Sequence, residues 1–314
     1  MIELPDTALV ELEGCDGEWW PLAGPGQWDR GVCLADEDEG TDFDAMYEAP
    51  VTAIYNSTAF QIGADFGGTR EEPYDFILAL HVKGTRKMPW RRIDSAFRKS
   101  LSFRRESKLW VTTSDSKRHL AVRLGDKVRI KAPNEPNSER YAKLLIPLIG
   151  AYPRWIEEPA KSTFVTQTDT TAPGSDWEIG YVTVSNPLPP DYEIYVKWRI
   201  QAATAGMIVK LPDYSWGSDE YERAEEDALR KVELAPLLAG EHLLIDTDKM
   251  AFGGQFQSSL DTEFPPRMGG KRLVYPIPGG TPPTQVPVAV KGAPAGTGIQ
   301  VVCPRPWPRP WGLE

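Results

Sequence analysis

Residues 176–201 read DWEIGYVTVSNPLPPDYEIYVKWRIQ, and this stretch decides the fold class. In its second half Tyr192, Ile194, Val196, Trp198 and Ile200 alternate with Glu193, Tyr195, Lys197, Arg199 and Gln201. A period of two over ten residues marks a strand with one dry and one wet face. Trp177, Ile179 and Tyr181 carry the same phase back into the first half, where the β-rich run YVTV follows. Between the halves, Asn186-Pro187-Leu188-Pro189-Pro190 cannot continue a ladder, because proline lacks the N–H and fixes φ. The expectation is two antiparallel strands joined by a stiff turn, with no group placed for chemistry.

The same alternation recurs on both sides. Phe76, Leu78, Leu80 and Val82 form one phase of a strand in which His81 reads as a sheet residue, since no second His or Cys lies near it. KLWVTTSD and RHLAVRL follow, and Gly125-Asp126 is expected to turn the chain into KVRIKA as a hairpin with a basic wet face. YAKLLIPLIGAYPRW is apolar on both faces, which predicts a central strand broken at Pro147. The period changes once early in the chain: Ile93, Ala96, Phe97 and Leu101 fall at helical spacing behind Pro89. Later, MIVKL, HLLIDTD and RLVYPIP read as strands, and residues 221–238 as holding one helix with Glu226 and Arg230 at i,i+4.

Composition agrees with a mainly β protein. The 314 residues are 41% hydrophobic and 25% charged, with 29 Pro, 27 Gly and 11 Trp, a mixture suited to many short strands and turns. The length allows two domains. No apolar run reaches the roughly 18 residues of a membrane span, and the acidic N-terminus is unlike a signal peptide, so the chain is expected in a cytosol at first. Cys15, Cys33 and Cys303 are odd in number and lack CxxC spacing, which argues against disulfides or zinc. The acidic run of residues 36–44 fails as an EF-hand loop: position five is Gly40 and position twelve is Tyr47. Nucleotide-binding glycine patterns, GxSxG and HExxH are all missing. No catalytic residue, metal site or cofactor is therefore expected.

Charge is distributed unevenly. Residues 1–50 hold 14 acids and one base, whereas residues 83–143 hold 18 bases and 6 acids. The acidic Gly/Pro/Trp-rich segment reads as an arm, lying either on its own basic domain or on a neighbouring copy. In the second case Trp19, Trp20 and Trp28 would meet basic residues such as Arg91, Arg92, Arg123 and Arg129 between subunits. The expected divisions are an arm over 1–50, a domain over 51–163, a β-sandwich over 164–303 and a Pro/Trp-rich, polyproline-like tail over 304–314. Within the sandwich, Trp216 and Tyr214 in PDYSWGSDE offer aromatic faces for a sugar or a partner.

The order of these segments resembles a known family. EGCDGEWWPLAGPG followed by YEAPVTAIYNSTAFQIGADFGGTRE is similar to the start of minor tail proteins from siphophages of actinobacteria. The succession of a helix, the pair KLWVTTSD and RHLAVRL, PLIGAYPRW, a short linker and a sandwich with the Asn186-Pro187 turn resembles the distal tail (Dit) proteins. This chain has Leu188 where family members commonly have Gly after Asn-Pro. The resemblance implies a β-sandwich-like belt domain with one α-helix and a C-terminal galectin-like β-sandwich. It implies a hexameric ring at the distal end of a long non-contractile tail, partnered by the major tail tube protein, the tail-tip hub protein and the tape measure protein. DNA would be passing cargo only, no membrane is involved, and the place of action is the virion tail tip. The alternative role is a carbohydrate-binding module reading a host-surface glycan.

Overall fold

The structure, a computed structural model, describes residues 7–313. The chain forms two compact units: one comprises the residues up to 157 together with 306–313, the other residues 158–305.

In the first unit β1 (Leu9–Glu13), β2 (Trp19–Ala23), β7 (Ser107–Thr112) and β8 (Lys117–Leu124) form an antiparallel sheet in the order β2-β1-β7-β8. A second set runs β3 (Val32–Leu34), β6 (Tyr74–Lys83), β10 (Tyr141–Gly150). The far edge of β10 takes β9 (Arg129–Lys131) and then the end of β8. Alternating Leu12, Leu109, Val111, Leu120 and Val122 from the first sheet are buried, as are Phe76, Leu78, Leu80, Leu144, Ile146 and Leu148 from the second. Helix α2 (Trp90–Lys99) begins after Pro89 and buries Trp90, Ile93 and Phe97, leaving Arg91 and Arg92 in solvent. Single turns α1 (Phe43–Tyr47) and α3 (Pro136–Glu139) complete the helices of this unit, and β4 (Val51–Asn56) with β5 (Asp65–Glu71) form a separate hairpin.

The second unit carries β11 (Trp155–Val165, begun in the first unit), β12 (Glu178–Asn186), β13 (Lys197–Ile200), β14 (Ile208–Pro212), β15 (Lys231–Glu233), β16 (Leu243–Asp246) and β17 (Phe256–Ser258). The one-turn α4 (Phe264–Arg267), β18 (Thr281–Lys291) and β19 (Gly298–Trp307) follow. One sheet has the order β12-β18-β14-β15, and β17-β16-β13-β19 form the other. Val182, Val184, Val209, Leu211, Val286 and Val288 of the first are buried, as are Ile194, Val196, Trp198, Ile200, Ile245 and Val301 on or beside the second. The protein is thus mainly β with one substantial helix.

Several expectations are corrected. The two halves of residues 176–201 do not pair with each other: β12 bonds to β18, while β13 lies between β16 and β19. The proline segment is therefore an arch between sheets, not a hairpin turn. Asn186 is fully buried at its start, its amide N–H donating to Tyr192 O (2.8 Å) and Ile277 O (3.0 Å) while its Oδ1 accepts from Leu188 N (3.2 Å). Leu188, at the place where family members commonly have Gly, is also fully buried. The phase of β12 is opposite to that expected; Ile179 and Tyr181 are about 60% exposed and Val182 and Val184 face the core.

β8 and β9 likewise both pair with β10 instead of with each other. β10 runs through Pro147, because that residue sits where its edge changes partner from Arg129 to Leu124 and no N–H is required. Residues 221–229 are turns without a helix, and RLVYPIP contributes one isolated bridge, Ile277 to Ile194. The supposed arm is woven in, since β1 pairs with β7 and β3 with β6. The tail does not extend as polyproline from its start: β19 continues to Trp307, and residues 306–313 pack in the first unit.

Candidate assembly interface

The hairpin β4–β5 stands apart from every other sheet. From Val51 to Ala64 it contains no charged residue. Val51, Ile54, Tyr55 and Phe66 are exposed, and the tip residues Phe60 and Ile62 are as open as in an extended chain, at 105% and 103%. Tyr55 and Phe66 touch edge to face at 5.8 Å, and the register slips beside Gly68, whose φ of +122° suits glycine. The base is held by Glu72 N donating to Pro50 O (2.9 Å) and by an ion pair between Glu71 and the buried Arg154. A lone two-stranded hairpin is marginal in water, and its free edges invite another chain. Six strand residues reach about 20 Å.

Trp19 is half-exposed and stacks on Trp110 at 5.9 Å, with the Lys117 ammonium near both rings. Glu13 anchors this group, accepting from Trp110 Nε1 (2.8 Å) and Lys108 Nζ (3.2 Å). Burial opposes ionisation of Glu13, but these two donors outweigh it and hold its carboxyl below the ordinary value. Trp28 is half-exposed in a left-handed backbone conformation (φ 70°) beside His81. His81 bridges Tyr141 Oη (2.8 Å) and Glu39 (2.5 Å), which fixes a sheet residue as expected from its context.

Trp20 leaves the contact set. It is buried, donates from Nε1 to Ser100 Oγ (2.8 Å), packs on Phe97 and is capped by Arg30 at 3.7 Å. It is a core anchor of its own unit. Arg123 is paired with Glu106 at 2.9 Å in the same chain, whereas Arg91, Arg92 and Arg129 lie exposed. The acidic N-terminal residues meet bases within the chain: Glu13 with Lys108, Glu18 with Arg30, and Glu39 with Lys143 (3.8 Å). In the second unit Tyr214 and Trp216 contact each other at 5.9 Å and are half-buried, with Trp216 at φ 55°.

No family model matches the sequence. Two relatives match over their whole length. Minor tail protein Gp27 of Mycobacterium phage D29 is 28% identical, covering 99% of this chain and 100% of the relative. Minor tail protein Gp27 of Mycobacterium phage L5 is 27% identical over the same shares. The fold matches the crystal structure of SPP1 Dit (gp 19.1) with a TM-score of 0.54 and 10% identity, covering 94% of this chain and 98% of that one. The chain is similar over its full length to mycobacteriophage minor tail proteins and has the fold of SPP1 Dit.

No contact on this hairpin was expected from the sequence. The signal was available: fourteen uncharged residues in a chain that is 25% charged. Their alternation is poor because both faces are apolar, so they do not stand out as a strand pair. Among the described residues no group of three or more His, Cys, Asp or Glu is arranged to hold a metal ion, and no helix is long and apolar enough to cross a membrane.

Proposed function

We propose that the protein forms a hexameric ring at the distal end of a long non-contractile tail, joining the tail tube to the tail-tip hub and mounting host-adhesion components. The observation that carries this reading is the bare hairpin β4–β5, with Phe60 and Ile62 wholly in solvent. A head-to-tail ring needs a heterologous contact, and a hairpin with two unpaired edges provides one on each side. Burying its six large apolar side chains on neighbouring copies would contribute on the order of 10 kcal/mol per subunit before association costs. The partners of such a ring are the tube protein above, the hub and tape measure proteins within or below, and DNA only in transit. The ring belongs to the virion, after synthesis in the host cytoplasm. Mass photometry of the full chain beside a variant lacking residues 57–64 tests it: the full chain should give hexamers and the variant should not. Equal assembly by both proteins would remove the hairpin from the interface.

A further inference from the structure

On the outward face of β17-β16-β13-β19 the second unit holds a groove of about 700 Å³. Register lines up Gln257, Leu244, Arg199 and Gln300 straight across four strands. The row continues to Thr163: Arg199 Nη1 donates to Gln300 Oε1 (3.3 Å), and Gln300 Nε2 donates to Thr163 Oγ1 (3.0 Å). The Gln300 amide is thus oriented on both sides. At one end His242 Nδ1 accepts the backbone N–H of Ala202 (3.1 Å). That bond fixes the tautomer, so the neutral ring carries its proton on Nε2.

The chemistry of the lining is one-sided. In a chain of 45 acids and net charge −10, no Asp or Glu lines this groove. Asp246, on the neighbouring row of β16, is neutralised by Lys197 at 2.7 Å. Arg199 makes no ion pair among the described residues. Around an aliphatic floor at Leu244 the groove therefore presents a guanidinium, two primary amides and hydroxyls.

We infer that this groove binds an acidic saccharide, with Arg199 taking a sugar carboxylate and Gln257, Gln300 and His242 taking ring hydroxyls. The volume suits a short oligosaccharide, and a few convergent polar groups over an apolar floor are what such a site requires. A guanidinium fork matches a carboxylate in two parallel bonds, which an amide or hydroxyl cannot do. The absence of acids keeps the field favourable to an anion. This site is separate from the aromatic pair Tyr214–Trp216, neither of which lines the groove, and it does not depend on ring formation.

The test uses the full chain in isothermal titration with tetragalacturonic acid, and with maltotetraose as the uncharged counterpart. The inference expects saturable binding of the acidic sugar, at least about tenfold weaker for the neutral one. Arg199→Ala should weaken the acidic sugar by about tenfold or more, the loss of a charge-assisted hydrogen-bond pair. Arg199→Lys should recover part of that loss and Gln300→Ala should weaken both sugars, with unchanged thermal unfolding in each case. Trp216→Ala should leave binding intact. The inference is overturned if neither sugar binds, if the neutral sugar binds equally well, or if Trp216→Ala abolishes binding while Arg199→Ala does not.

Discussion

Replacing Arg118 by Ala should loosen the C-terminal segment from the first unit. Arg118 is fully buried on β8, with its guanidinium 3.8 Å from the centre of the Trp307 ring. It donates from Nη1 to Arg309 O and Gly312 O, both at 3.0 Å, and from Nε to Glu157 at 3.3 Å. Trp311 closes on Tyr47 at 4.6 Å, Tyr74 Oη donates to Pro308 O (3.1 Å), and Arg309 pairs with Glu48 at 2.8 Å. Hydrogen bonds from a charged donor contribute about 1.5–3 kcal/mol each, part of which offsets the cost of burying the charge. A net loss of about 3–5 kcal/mol is expected from the first unit, with the second unchanged. Urea unfolding followed by tryptophan fluorescence should show one transition moved and one fixed. Proteolysis should then cut within 306–313. Arg118→Lys keeps the charge but loses the fork, and should recover less than half of the loss. A shift below about 1 kcal/mol with the tail still protected would refute the clasp.

Three further outcomes follow from other parts of the molecule. Phe60→Asp with Ile62→Asp should abolish self-association but, compared at a concentration dilute enough that both proteins are monomeric, move the unfolding free energy by no more than about 0.5 kcal/mol, since both side chains are in solvent; a large loss in the monomer would mean that the tip supports its fold. Asn186→Ala should cost about 1–3 kcal/mol in the second unit, measured by urea unfolding, because the Leu188 N–H and Tyr192 O lose the Asn186 amide and Ile277 O keeps only the Ile194 N–H. Burial opposes ionisation of Glu241, but donation from Thr262, Leu238 N (2.8 Å) and Arg267 (2.7 Å) outweighs it and lowers its carboxyl from 4.5. The unfolded chain therefore takes up this proton first, so stability should fall as pH drops below 4.5, and Glu241→Gln should flatten that dependence in an acid-unfolding series. An unchanged acid limb in the variant would contradict this.

The sequence carried the fold class because period-two runs such as residues 192–201 depend only on one buried face. It did not carry pairing. A strand's alternation is the same whether its neighbour is the next strand in the chain or one a hundred residues away, which is why β12 and β13 were joined wrongly. β18 and β19 stayed hidden for another reason. Their prolines, at 282, 283, 287, 304 and 306, argue against a ladder, yet β18 pairs along its length with β12. The N-terminal segment reads as an arm because Gly and Pro separate its strands, yet it holds β1, β2 and β3. Trp20 shows the same limit, for a tryptophan in a Gly-rich run reads as a surface anchor until Phe97 and Ser100 are brought to it from α2 and its end. The groove at Arg199 was illegible because its row is assembled from five separate strands.

The proposed closure of copies of this chain into a ring is open to direct measurement. Mass photometry of the purified protein, with negative-stain images of the same fraction, tests it most directly. The expected result is a species of about 210 kDa, six chains of 35.0 kDa each, and six-fold particles with an open channel. A single species of 35.0 kDa with no ring at any concentration up to the solubility limit would contradict it.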